Sequence, residues 1–260
     1  MIDKNSKTQP DTTQWMALSL RLTAFPSPST PINSSDWWAT IVGDLPESQE
    51  NNPKVGKKRE TGSFENGNLV LAIQPGRIDW SFTSPKDHQL DLPTSQEDLM
   101  NLQPMLNSFL RITNHWLEIA PPLLRIAFGT HLGIPVGSRE DGYNRIAKYL
   151  KPYVELDTKN SSEFFYQINR PRVSASIPTV KLNRLSKWSV SVASTGEIMI
   201  LQGEKLARGT MDREFFSCHL ELDINTASDN TNELEHQSLL AVFAELVQLG
   251  QEIAEKGDIP

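Results

Sequence analysis

Alternation of apolar and polar side chains is the first order visible in this chain. From about Trp15 to Phe25, Met16, Leu18, Leu20 and Leu22 alternate with Ala17, Ser19 and Arg21, the period-two signature of a strand buried on one face. Pro26 and Pro28 end it. Ser34, Ser35 and Asp36 offer capping oxygens ahead of Trp37, Trp38, Ile41 and Val42, which predicts a short helix. Leu45 to Lys58, rich in Glu, Asn, Pro and Lys, reads as a loop. A weak strand over 56–64 follows. An Asn66-Gly67 turn leads into the alternating Leu69, Leu71 and Ile73, and a Pro75-Gly76 turn leads into Ile78, Trp80 and Phe82. This is the pattern of an antiparallel meander.

The period then changes to that of a helix. Over 95–118, Leu99, Leu102, Leu106, Phe109, Leu110, Thr113, Trp116 and Leu117 recur at three- and four-residue spacing, giving one broad apolar face. Pro104 near its start predicts a kink or a late beginning, and Pro121-Pro122 forbids continuation. The second half runs in a similar order. A strand is expected from Leu123 to about His131, with a helix over 141–150 capped by Ser138 or Asp141. Strands over 164–169, 187–193, 196–202 and 215–225 follow, with Ser194-Thr195-Gly196 turning one hairpin. A long helix over 232–256 presents Leu239, Phe243, Leu246, Val247 and Ile253.

Each half therefore reads strand, short helix, several strands, long helix. The expected fold class is α+β, antiparallel meander sheets with packed helices, with tandem duplication of one unit as a reading of the repeated order. The expected division is an N-terminal tail over 1–13, a first unit over 14–120 and a second over 121–260, packed as one globule. Strands this closely spaced disfavour a doubly wound parallel sheet.

Composition narrows the class. Among 260 residues, 38% are hydrophobic and 22% charged, ordinary for a globular protein. No apolar run is long enough to span a bilayer, and the polar 1–13 segment has no signal-like core. The single Cys218 excludes an internal disulfide framework. A cytoplasmic protein without a membrane role or a cofactor is expected.

Charge is uneven around its net value of −7. Between 164 and 196 there are five basic residues, Arg170, Arg172, Lys181, Arg184 and Lys187, and no acidic one. From 197 onward thirteen acidic residues face four basic ones. The basic stretch must meet either the acidic C-terminal part of its own fold or an acidic partner. With Phe164, Phe165, Tyr166 and Trp188 it mixes aromatic and basic groups over 164–188, which suits stacking on bases and neutralising phosphates.

Three smaller constellations carry candidate chemistry. His219, Glu221 and Asp223, two apart on a strand, share a face and could together hold a divalent metal for hydrolysis. They equally suit the wet face of an amphipathic strand. Arg77, on one strand face with Asp79, could bind an anion or form an ion pair. Trp37 and Trp38 point about 100° apart on a helix, so one of them is expected to be exposed as a partner anchor. His88, His115, His131 and His236 lie in unrelated contexts. Gly129, Gly133 and Gly137 read as a loop around Pro135, and Cys218 points inward.

No family is identified from residue-level motifs. The order of elements is broadly similar to that of tandem ferredoxin-like RNA-processing proteins of bacterial immunity. The glycine-rich loop those proteins carry near the C-terminus is absent here, so no site residue carries over. The expected function is a non-catalytic protein-interaction module, an accessory or regulatory subunit of a bacterial multi-protein system, with host defence as one setting. A nucleic-acid-binding module and a metal-dependent hydrolase are the alternatives.

Overall fold

A computed structural model describes residues 14–28, 30–32, 36–85, 99–199 and 208–260. The 1–13 segment, Ser34, Ser35 and the 95–98 start of the expected long helix lie outside the described residues.

The fold is α+β. Eleven strands form one antiparallel sheet: β1 (Met16–Pro26), β2 (Ser48–Asn52), β3 (Lys57–Phe64), β4 (Gly67–Gln74), β5 (Arg77–Thr83), β6 (Met100–Asn101), β7 (Leu123–Val136), β8 (Phe165–Asn169), β9 (Arg172–Val173), β10 (Lys181–Met199) and β11 (Arg208–Thr226). Their order across the sheet is β2-β3-β4-β5-β1-β7-β11-β10-β8, with β6 beside β1 and β9 beside β10. β1 and β7 lie at the centre and pair with each other, with β5 on the far side of β1 and β11 on the far side of β7.

Four helices, α1 (Trp37–Val42), α2 (Leu102–Glu118), α3 (Arg139–Leu150) and α4 (Leu239–Lys256), pack on one face of this sheet. The alternation read from the sequence explains the choice of face. Leu20 and Leu22 of β1, Leu69 and Leu71 of β4, Ile78, Trp80 and Phe82 of β5, and Leu220, Leu222 and Ile224 of β11 are all buried. They meet the apolar stripes of α2 and α4, including Phe109, Trp116, Phe243 and Leu246. Ser138 caps α3, its hydroxyl accepting from the Asp141 N–H at 3.1 Å, a bond that satisfies one otherwise orphaned helix donor. Because α2 starts at Leu102, Pro104 falls in the first turn, where its missing N–H costs nothing.

Several boundaries differ from expectation for physical reasons. The 45–58 loop contains the exposed edge strand β2, whose polar residues draw on backbone pairing to β3 and not on burial. The β3–β4 reversal uses Glu65 and Asn66, with Glu65 at φ +50°. Gly67 is already in β4, and a Cβ there would come 2.5 Å from the Thr83 carbonyl oxygen. The loop expected around Gly129 and Gly133 is strand: both lie in β7, paired to β1 on one side and β11 on the other. Pro135 is tolerated because β1 pairing stops at Gly133, so that among the described residues only β11 pairs with it there. Ser194-Thr195-Gly196 does not reverse the chain either. β10 continues to Met199, and between Thr195 and Gly196 the register against β11 shifts, forming a bulge.

From Ala193 onward on β10 and before Phe216 on β11, the two long strands pair only with each other among the described residues. The register runs from Ala193↔Phe215 to Met199↔Arg208, while β7 pairing begins at Phe216 and β8 pairing ends at Ser189. Seven residues of β10, about 23 Å at 3.3 Å per residue, thus form a two-stranded ribbon beyond the sheet.

Candidate functional site

The face of the sheet opposite the helices bears the polar half of each alternation. Register aligns its side chains in rows. One row runs Leu185, Asp223, Gly129, Arg21, Ser81 across five strands, and the next runs Lys187, Glu221, His131, Ser19, Thr83. Together they line a cleft of about 390 Å³.

Arg21 is the centre of this cleft. It is exposed, and its guanidinium lies flat against Gly129. A Cβ on that glycine would sit 3.2 Å from Nη2, 3.4 Å from Nε and 3.5 Å from Cζ. The glycine therefore provides the bed on which the cation rests. Neither carboxylate of the cleft is within ion-pair distance of it among the described residues. Glu221 turns to Lys187, directly opposite on β10, at 3.3 Å. Asp223 accepts through Oδ1 from the Asn225 amide at 2.9 Å.

His219 lies behind the lining residue His131 and is only 2% exposed. Its Nδ1 is 2.8 Å from His131 Nε2, and its Nε2 is 2.5 Å from the Ser191 hydroxyl and 2.6 Å from the Ser217 hydroxyl. Burial, and then the neighbouring His131, push its pKa down to about 3, so the ring is neutral near pH 7. Its two nitrogens are both occupied by this chain of bonds. Cys218, one residue earlier on the helix face, is fully buried, and burial pushes its thiol up to about 12.

The expected metal set is not assembled. His219, Glu221 and Asp223 share a face, but both ring nitrogens of His219 are taken by His131, Ser191 and Ser217, and Glu221 and Asp223 turn to Lys187 and Asn225. Among the described residues no group of three or more His, Cys, Asp and Glu side chains could hold a metal ion.

Trp37 and Trp38 are both buried, at 8% and 2% exposure, so neither is a surface anchor. Divergent directions on α1 do not prevent this, because the helix sits in the angle between α2 and the sheet. Trp37 packs edge-on to Trp116 of α2 at 5.5 Å, and Trp38 stacks on Trp80 of β5 at 6.2 Å.

The basic stretch meets its own C-terminal part. Arg170 grips Asp258 with Nε and Nη2, at 2.5 and 2.8 Å, and stacks over Tyr153. Burial raises Asp258, but its bonds from Arg170 and the Tyr166 hydroxyl outweigh this and hold it below the usual carboxylate range. Arg184, 5% exposed, donates to the main-chain oxygens of Ile259 and Pro260. Burial, then the charge of Arg172, lowers its pKa. Lys181 reaches Asp229 at 3.5 Å, and Lys187 reaches Glu221. Arg172 stands exposed on β9. Of the aromatic residues, Trp188 is buried between Trp15 and Tyr149, whereas Phe165 is 63% exposed. Arg170 and Arg184 thus hold residues 258–260 against the sheet, while the other three basic residues do not reach them.

Arg77 is also committed internally. Its Nε and Nη2 bond both Asp79 oxygens at 2.7 and 2.9 Å, and Asp79 accepts further from Thr23 at 2.6 Å. The Asp79 bond raises the Arg77 pKa, so the fork that would have held an external anion is occupied.

Sequence reasoning passed over Arg21, Gly129, His131, Ser191 and Ser217. Each comes from a strand whose neighbour is distant in sequence, and only the β1–β7–β11–β10 order brings them together. No family model matches the chain, and no curated protein matches it. No helix among the described residues is long and apolar enough to cross a membrane.

Proposed function

We propose that this chain is a non-catalytic protein-interaction subunit, an accessory or regulatory component of a bacterial multi-protein system that works in the cytoplasm, with host defence as one setting. The observation that supports the reading is the ribbon formed by the far ends of β10 and β11. Among the described residues, seven of β10 there have only β11 beside them. An isolated two-stranded ribbon is marginal in water, because it buries little apolar surface and leaves its outer backbone groups unpaired. A protein partner that adds backbone pairing or covers one ribbon face supplies what is missing. The reactive groups seen elsewhere are consistent with binding: Cys218 and His219 are buried, and the Arg77 and Arg170 forks are filled from within.

The test is affinity purification from the native cell with quantitative mass spectrometry and light scattering. It uses the full chain and a variant in which an Asn-Gly turn replaces 195–212. A stoichiometric protein partner is expected with the full chain and not with the shortened one, while both keep the same circular dichroism. A strictly monomeric full chain without a stoichiometric partner, or equal retention by both forms, overturns the proposal.

A further inference from the structure

We infer that the cleft around Arg21 binds a small zwitterion of the α-amino-acid class, with Arg21 taking the carboxylate and Asp223 the ammonium group. This rests on the cleft alone and not on the ribbon.

Arg21 supplies the first half of the argument. One flat side of its guanidinium rests on Gly129, which leaves N–H groups directed along that plane. Among the described residues it has no ion-pair partner, although two carboxylates line the same cleft. A planar fork held in place and unmatched by its own protein is the arrangement that recognises a carboxylate with two parallel bonds.

Asp223 supplies the second half. It stands in the same row as Arg21, on the far side of Gly129. Asn225 occupies only Oδ1, so Oδ2 remains an acceptor. Arg77, the other cation whose field reaches it, is bonded to Asp79. A cation and a carboxylate flanking one glycine, each with capacity unused, match a ligand carrying the opposite pair of charges.

The net charge of the lining decides against a phosphate. Arg21 and Lys187 are offset by Glu221 and Asp223, so a dianion would meet two carboxylates with little surplus positive charge to repay its desolvation. A zwitterion meets one opposite charge at each end. The hydroxyls of Ser19, Ser81 and Thr83 edge the cleft, and at about 390 Å³ it lies at the small end of the roughly 300–1,000 Å³ typical of small-molecule sites.

Titration calorimetry on the full chain tests this, with each of the twenty amino acids, acetate, ethylamine and inorganic phosphate as separate titrants. At least one amino acid is expected to bind, and more tightly than acetate, ethylamine or phosphate. Arg21→Ala and Asp223→Asn should each weaken that binding at least tenfold, with Arg21→Lys intermediate because it keeps the charge and loses the fork. Both positions lie on the face opposite the four helices, so the variants should keep the wild-type circular dichroism and melting transition. The inference fails if no amino acid binds, if phosphate binds best, or if Arg21→Ala leaves the affinity unchanged.

Discussion

Acid should destabilise this protein through one imidazole. His219 is neutral and buried, with its pKa near 3 in the fold against 6.5 for the free side chain. Below pH 6.5 the unfolded chain therefore binds a proton that the folded chain refuses. Stability from this group is complete above pH 6.5 and drains away as the pH falls toward 3. The slope in that window approaches about 1.4 kcal/mol per pH unit. Between about pH 7 and pH 4.5 the loss comes to about 2.5 kcal/mol, a large share of a typical domain's stability. Replacing the ring isolates the effect. In His219→Gln the amide can still bond Ser191, Ser217 and His131 but cannot take up the proton. Urea denaturation of both proteins at pH 7, 6, 5.5, 5 and 4.5 measures the difference. The variant should start less stable at pH 7, through lost packing, and then lose about 2.5 kcal/mol less than the wild type on acidification to pH 4.5. Carboxylates and the histidines remote from this ring titrate in both proteins and cancel, and the comparison is made with His131→Gln in both, because His131 contacts the ring. Parallel pH profiles would show that His219 is protonated as readily in the fold as outside it, and would refute the account of its burial.

Two further predictions concern groups the sequence left ambiguous. Trp38→Ala should cost about 3–5 kcal/mol, read from guanidinium denaturation, because the ring is 2% exposed and stacked on Trp80; a loss under about 1 kcal/mol would place the ring at the surface. Cys218 should resist iodoacetamide in the native protein at pH 8 and react within minutes in urea, because burial holds its thiol near 12. Rapid native alkylation, read by mass spectrometry, would contradict the inward orientation of that residue on β11.

The two periodicities carried most of the fold. Alternation in Leu20–Leu22, Leu69–Ile73, Ile78–Phe82 and Cys218–Ile224 identified strands and the side each buries, since successive side chains in a strand point to opposite faces, whereas a bulge at Leu18 put Ala17 in the core in its place. Spacing of three and four identified α2 and α4 for the corresponding reason. Boundaries failed where pairing, and not side-chain chemistry, holds the backbone. β2 has five exposed polar residues and is a strand only because β3 lies alongside. β7 runs through Gly129 and Gly133 because it is flanked on both sides.

The site was less legible. His219, Glu221 and Asp223 were placed on one face from local spacing, and Lys187 was marked as basic, but their partners lie across strands up to 88 residues apart, as His131 and His219 are. Adjacent tryptophans could not reveal that α1 sits between a helix and a sheet. A run of five basic residues could not say which acids it would meet, and only the fold brings Arg170 to Asp258. What the sequence by itself determined is which side chains share a surface, because that follows from local geometry. Which surfaces and charges face one another was decided only by the tertiary structure, because strand order joins positions whose separation along the chain carries no trace of their proximity.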